Sequence, residues 1–296
     1  VVERKSPSYM VFLVFNYVFL AFLAFTCLFP VVNVIAVSFS NPAAVAANRV
    51  TLWPVDTQVT AYQEIFGNRL LLRSIWVSVR RVLIGTAINL FLITATAYPL
   101  SKERSEFPAR NIIMWYFVIP MLFNGGLIPT YLLIRNVGLL NSFWVLVIPA
   151  AVPIFSVIIM MNFLRSLPRS LFEVAMIDGA NHWYILYRIA IPLSMPAIAT
   201  LTLFAMVGHW NSWFDGLIYM LDSKKWPLQT FLQSAIKAQN ELEKIAELGE
   251  FEKVRRLSNQ TLMASKIVVA TVPIVCVYPF LQKYFIKGIL LGSIKE

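Results

Sequence analysis

Few side chains in this sequence are equipped for chemistry, and their spacing decides which kind. There are two histidines, His182 and His209, and two cysteines, Cys27 and Cys276, in 296 residues. His209 stands in an apolar run and His182 in a polar loop, so no partner is in place for a metal cluster or proton relay, and no metal site is expected. No nucleophile and base pair into a hydrolytic constellation. No Gly-x4-Gly-Lys-[Ser/Thr] loop is there to hold a nucleotide. The chain is therefore expected to be neither an enzyme nor the holder of a cofactor. What remains are polar groups within apolar runs: Asn89, His209 and Asn211, flanked by Trp210 and Trp213, and nearer the ends of the runs Arg80, Arg81, Asp215 and Lys266. Aromatic rings beside amide and imidazole groups suit a sugar, whose C–H faces stack while its hydroxyls hydrogen-bond. The same groups serve equally as hydrogen-bonded glue between helices. The arginines suit carboxylates at the mouth of a pathway, or simply snorkel to a membrane rim.

The elements that position these groups follow from composition. Hydrophobic residues make up 58% of the chain and charged residues 14%, with a mean hydropathy of +0.69, which places it in a bilayer rather than in water. Six apolar runs approach or exceed the roughly 20 residues that a helix needs to cross about 30 Å of hydrocarbon. They are residues 12–39, 75–100, 112–134, 143–164, 196–221 and 262–286. The expected fold is all-α: a polytopic membrane protein of six transmembrane helices, one transmembrane domain over residues 1–296, with short helices in the 165–195 loop. Pro120 and the Gly125-Gly126 pair predict a break in the third span. The first span is too long for a signal-peptide core and reads as a retained anchor. Cys27 and Cys276 both fall inside spans and read as buried thiols. Measured along the helical rise, His209 lies about 20 Å and Asp215 about 28 Å above Pro196, and Arg81 about 29 Å above Leu100. The charged residues thus belong to one rim and the histidine to the interior.

Two longer segments outside the spans complete the layout. Residues 40–74, with Asn41-Pro42 and Trp53-Pro54, read as an irregular loop with short helices. Residues 222–261 contain a Glu-, Lys- and Ala-rich stretch at 239–256 that reads as a helix, either a docking surface or a solvated insertion. An even number of spans puts both termini on one side. Raw counting of Lys and Arg does not choose that side, because the 222–261 segment is long and basic, but the compact basic loops 101–110 and 165–194 favour termini inside. A net charge of +10 is scattered over loops and does not point to nucleic acid.

The most distinctive stretch runs from Glu173 to Pro192. Pro168 suits a first helical turn, Ser170-x-x-Glu173 has capping-box spacing, and Gly179 after Asp178 suits a helix stop. Asn181 then caps a second short helix bearing Trp183, Ile185, Leu186 and Ile189. Two short helices joined at a glycine, mixing charge with apolar residues, fit a groove on another protein or lie on the surface without a partner.

This stretch resembles the EAA motif of ABC importer permeases, Glu-Ala-Ala, three residues, Gly, nine residues, Ile-x-Leu-Pro. Glu173, Ala175, Gly179, Ile189 and Pro192 match at the required spacing, with Val174 and Ile191 as conservative departures. Gly126-Leu127-Ile128-Pro129, Gly138 to Asn141, Asp178-Gly179-Ala180, Gly208 to Phe214 and the tail Lys287 to Ser293 extend the resemblance over nearly the whole chain. They place it near the maltose-permease-like carbohydrate branch, closest to the group serving complex or acidic oligosaccharides. The resemblance implies a non-catalytic permease subunit in a bacterial inner membrane, both termini cytoplasmic. It implies a second, homologous permease as heterodimer partner, two cytoplasmic ATPase subunits carrying ATP and Mg, and an extracytoplasmic binding protein delivering an oligosaccharide. Glu173, Val174, Ala175, Asp178, Gly179, Ala180, Ile189 and Pro192 would then form the ATPase-coupling loop. Asn89, His209, Trp210, Asn211, Trp213, Asp215, Arg80 and Arg81 are the substrate-pathway candidates. The alternative is an ion- or proton-coupled carrier acting alone, which should show midplane carboxylates and repeated halves; neither is clear in the sequence.

Overall fold

The structure is a computed structural model and describes residues 7–123, 125–245, 260–277 and 279. All regular elements among these residues are helical, as expected where lipid offers the backbone no hydrogen-bond partners. In chain order the α-helices are α1 (Pro7–Ser38), α2 (Pro42–Ala46), α3 (Thr60–Gly67), α4 (Arg69–Ser101), α5 (Arg110–Leu122), α6 (Leu127–Asn136), α7 (Ile154–Ser166) and α8 (Arg169–Ile177). There follow α9 (His182–Ile185), a π-helical turn Leu186–Ala190, α10 (Ile191–Leu193), α11 (Met195–Asn211), α12 (Phe214–Tyr219) and α13 (Leu228–Ile245), then α14 (Gln260–Val277). Three of these, α1, α4 and α14, are individually long and apolar enough to cross a membrane, and the number rises to as many as 6 when each bent pair is counted as one span.

The breaks have visible causes. The third span divides into α5 and α6, and Gly126 at the break adopts φ 87°, which only glycine takes without strain. The fourth begins as 3₁₀ turns at Phe143–Leu146 and Ile148–Ala150 and bends by 48° into α7; Pro149 and Pro153 remove backbone donors there. The fifth span is not the continuous helix expected over 196–221. It stops at Asn211, Ser212 turns extended at ψ 120°, and α12 restarts at Phe214. The sixth follows its expectation up to Val277; its remainder to residue 286, the 246–259 part of the outer segment and the tail from Lys287 lie outside the described residues.

The chain divides into two compact units. One takes residues up to Arg69 and from Ala235 to Val272. In it the last turn of α1 packs Ala36 with Ala44, Val45 and Val50. Asn41 caps α2 by accepting from the Ala43 N–H at 2.9 Å, and Ser265 donates from α14 to the Ser38 carbonyl at 3.1 Å. Of α1, only Ala36 and Ser38 are buried; the rest presents Phe, Leu and Val side chains, Cys27 among them. The thiol is thus exposed, as is that of Cys276, because a helix facing lipid hides nothing behind neighbouring chain.

Among the described residues the other unit takes Leu70–Ser234 and those from Pro273. Its main core joins Ile93, Ala97, Tyr98 and Leu100 of α4, Val157, Met160, Met161 and Leu164 of α7, and Ala197 and Leu201 of α11. Ala175 of α8 and Ile185 of α9 belong to that same core. The short helices of the 165–195 loop are therefore rooted in the membrane bundle and do not hang from it.

Candidate functional site

The 165–195 segment owes its shape to two local devices. α8 ends in a Schellman motif: the Gly179 N–H donates to the Met176 carbonyl at 3.0 Å and the Ala180 N–H to the Ala175 carbonyl at 2.9 Å, with Gly179 at φ 79°. Ala180 and Ala175 meet in the core, the apolar contact that usually accompanies this motif. Asn181 then accepts from the Tyr184 N–H at 2.8 Å and caps α9. The expected capping box is not formed. Pro168, extended at ψ 122°, occupies the N-cap and no side chain bonds there, which leaves Ser170 as the second helical residue and Glu173 too far along the helix to reach back.

Burial sorts the motif residues into two sets. Ala175 is buried and Ile189 half-buried, as is Ala180, whereas Glu173, Asp178 and Pro192 are exposed. Val174 and Ile177 are 58% and 84% exposed. Leu171, Val174 and Ile177, spaced three apart, share one face, so α8 turns an apolar stripe outward with Glu173 beside it. Trp183 and Tyr187 stack with centroids 6.1 Å apart, and both are exposed. Beyond α10 the chain bends by 82° into α11, so the segment lies across the direction of that span. Beside it a cavity of about 610 Å³ is lined by Lys102, Glu103, Arg104, Arg110, Arg165, Arg169, Glu173 and neighbours.

Residues that sequence reading passed over hold this segment to α4. The Lys102 ammonium lies 5.3 Å from the Tyr98 ring centre and 5.1 Å from that of Phe172 on α8 and pairs with Glu106 at 3.3 Å. Arg169 pairs with Glu103. The Tyr98 hydroxyl meets Nδ1 of His182 on α9 at 3.4 Å. Arg110 and Arg165 donate to the Leu100 carbonyl at 2.9 and 3.2 Å. The available signal was a basic loop placed directly after a predicted span, which fits contact with the next loop as well as it fits the inside rule.

The substrate-pathway candidates separate into engaged and open groups. Asn89 donates to the Ala150 and Ala151 carbonyls at 2.9 and 2.8 Å, and its side-chain oxygen lies 2.5 Å from His209 Nε2. Both side chains are buried, and Gly85 gives the imidazole room, since a Cβ there would overlap the ring. The pair thus joins α4 to α11 and to the turn before α7. Arg81, only 2% exposed, forms an ion pair with Asp215 and donates to the Ser212 carbonyl at 3.3 Å. It lies inside the protein and does not reach out to a rim: the Asp215 carboxylate and the Ser212 carbonyl take its two terminal nitrogens, while its Nε has no hydrogen-bond partner among the described residues. Arg80 stays exposed, its guanidinium 3.9 Å over the Phe143 ring. Asn211 is exposed, Trp210 is buried and Trp213 half-buried, edge-on to Phe214. Among the described residues, no three His, Cys, Asp or Glu side chains are grouped to hold a metal ion.

A bundle of broken apolar helices with a glycine-bent pair of amphipathic helices rooted in its core defines a membrane transport subunit. The model of the family described as binding-protein-dependent transport system inner membrane component matches residues 4–291, and the chain belongs to that family. It is therefore a multi-pass permease of the inner membrane. The polygalacturonan/rhamnogalacturonan transport system permease protein YtcP of Bacillus subtilis is 40% identical over 279 residues, 94% of this chain and 96% of that one. Protein LplC of the same organism is 41% identical over 292 residues, 99% of this chain and 97% of that one. Among solved structures, a bacterial ABC transporter involved in the import of the acidic polysaccharide alginate matches with a TM-score of 0.84 and 32% identity, over 96% of this chain and 100% of that one.

Proposed function

We propose that this permease admits an acidic oligosaccharide, delivered by an extracytoplasmic binding protein, and that ATP hydrolysis on separate subunits drives it through the 165–195 segment. The whole chain would act as one transmembrane domain, both termini cytoplasmic, paired with a second, homologous permease and seated on two ATPases that carry ATP and Mg. The observation that carries the reading is the double character of α8 and α9: Ala175 and Ile185 are locked into the core with α4, α7 and α11, while Val174, Ile177 and Trp183 face outward beside Glu173. A surface helix without a partner would not leave that apolar stripe in water. Pushing the stripe moves whatever is packed behind it, because close-packed cores shift between discrete arrangements and do not deform gradually. The substrate class is supported by the relatives, whose names specify polygalacturonan or rhamnogalacturonan in one case and alginate in another. A carrier driven by an ion gradient would need a carboxylate free to titrate; Asp215 is instead committed to Arg81.

The test is uptake in proteoliposomes holding this chain, its partner permease, the ATPase and the binding protein. Trigalacturonate is expected to stimulate ATP hydrolysis and to accumulate, with a neutral pentose trisaccharide far weaker. Replacement of Glu173 by Ala should reduce stimulated hydrolysis while basal hydrolysis persists. Accumulation by this chain alone down a proton or sodium gradient would overturn the proposal.

A further inference from the structure

Of the described helices that supply the core around the 165–195 segment, α4 is the longest that runs without a break. α7 has 13 residues and meets a 48° bend at its far end; α11 has 17 and ends at the Ser212 break. α4 has 33 residues, and its internal proline, Pro99, lies in the last turn. A straight helix transmits displacement along its length, whereas a broken one absorbs it at the break.

α4 is also held at points along its length, from Lys102 and Glu103 just past its last turn to Ser78, its tenth residue. At one end Lys102 lies between the Tyr98 and Phe172 rings, Glu103 holds Arg169 and Tyr98 meets His182, so α8 and α9 are both tied to it. The Lys102 side chain is 14% exposed, which strengthens a cation over a ring by limiting competition from water. Halfway along, Asn89 joins α4 to His209 of α11 and to the turn before α7. Farther on, Arg81 takes Asp215 and the Ser212 carbonyl. Finally, the Ser78 hydroxyl accepts from the Leu228 N–H at 2.8 Å at the start of α13. From Tyr98 to Arg81 the helix rises about 26 Å.

We propose that α4 is the rod that carries movement of the coupling segment to the break between α11 and α12, with Lys102 and Tyr98 as the positioning residues that make it follow α8 and α9. This rests on the coupling role proposed above. Both ends of the rod meet polar groups that the apolar core does not supply, so each end can shift only together with its partners. The residues at Ser212 and Trp213 then change place when α8 does.

The experiment uses the full importer in proteoliposomes, with Cys27 and Cys276 replaced by Ser and Arg73→Cys placed near the far end of α4. Maleimide labelling of that cysteine is followed with and without vanadate-trapped nucleotide, alongside ATP hydrolysis stimulated by the trigalacturonate-loaded binding protein. With Lys102 intact, nucleotide trapping is expected to change the labelling rate. Lys102→Met should abolish that change and lower stimulated hydrolysis about tenfold while the ATPase still co-purifies, and Lys102→Arg, which keeps a cation over the rings, should retain both. Should Lys102→Met prevent assembly, the volume-conserving pair Tyr98→Phe and Phe172→Leu is read by the same criteria. Unchanged labelling on trapping, or full stimulation in the Lys102→Met protein, overturns the rod. Gly179→Val separates the two levels: if it too leaves stimulation intact, the coupling role itself falls, and if it alone uncouples, only the assignment to α4 does.

Discussion

Arg81 offers the sharpest distinction between a structural group and a sugar-binding one. Its guanidinium is buried, paired with Asp215 and bonded to the Ser212 carbonyl; Asp215 also accepts from the Ser212 hydroxyl and from the Gly216 N–H, each at 2.9 Å. Arg81→Met removes the cation and leaves a carboxylate without its counter-charge; with the Asp215 side chain 23% exposed, this costs less than the full penalty of a buried pair broken on one side, about 2 to 3 kcal/mol. Asp215→Asn in the same chain removes the stranded charge and keeps a side chain that can still accept from Ser212 and Gly216. Replacing both members of a buried pair is commonly near neutral. The double variant should therefore be markedly more stable than Arg81→Met alone, a non-additivity of about 2 kcal/mol or more. Thermal unfolding of the detergent-purified complex, followed by size exclusion of a fluorescent fusion, ranks the wild type, Arg81→Met, Asp215→Asn and the double variant, and uptake of trigalacturonate is measured beside it. Recovery of both stability and uptake in the double variant is expected. If stability recovers but acidic uptake does not, while neutral sugars are unaffected, Arg81 is a substrate receptor and its structural assignment is wrong.

Three further outcomes are expected. Gly85→Ala, normally a gain within a helix, should destabilise the permease, because the added methyl overlaps His209 and forces it from Asn89 at a cost of about 1 to 3 kcal/mol for each stranded polar group; a raised melting midpoint would refute the packing. At Gly179, φ 79° disfavours other residues by about 1 to 2 kcal/mol, so uncoupling measured as lost stimulation of ATP hydrolysis should be severe for Val and mild for Asn, and equal effects would count against the Schellman turn. Ile177→Asp, on a residue 84% exposed, should leave the permease stable but lose the ATPase on affinity purification; retained co-purification would remove α8 from that interface.

The sequence carried the large features because the bilayer imposes them. Run length alone located α1 and α4, and turn chemistry located the stop at Gly179 and the cap at Asn181, since each depends on residues within a few positions of itself. What it did not carry was pairing at long separation. Asn89 with His209 and Arg81 with Asp215 lie more than a hundred positions apart in the chain, and depth along separate helices could place them at similar heights without saying which faces meet. The capping box failed for a local reason that spacing could not register: Pro168 stands at the N-cap itself and shifts Ser170 into the first turn. The break at Ser212 falls in the polar stretch His209-Trp210-Asn211-Ser212, which was absorbed into one span because apolar runs flank it on both sides.

These pairings bear on how the pathway is built. A polar group in a membrane span is costly unless it finds a partner, and Asn89, His209, Arg81 and Asp215 each have at least one partner within this unit, although the Arg81 Nε has none among the described residues. Any of them that touched sugar would have to release such a partner first, so in this arrangement they fix helix against helix. Arg80 and Asn211 are the candidates left facing outward, and of these Arg80, held over the Phe143 ring, presents a positive charge that no carboxylate among the described residues pairs. An acidic sugar meeting this surface would find a pre-positioned cation with little ordering left to do. Arg80→Gln should thus raise the KM for trigalacturonate while leaving kcat and neutral-sugar uptake nearly unchanged, and a fall in kcat with KM constant would show instead that Arg80 serves the moving parts.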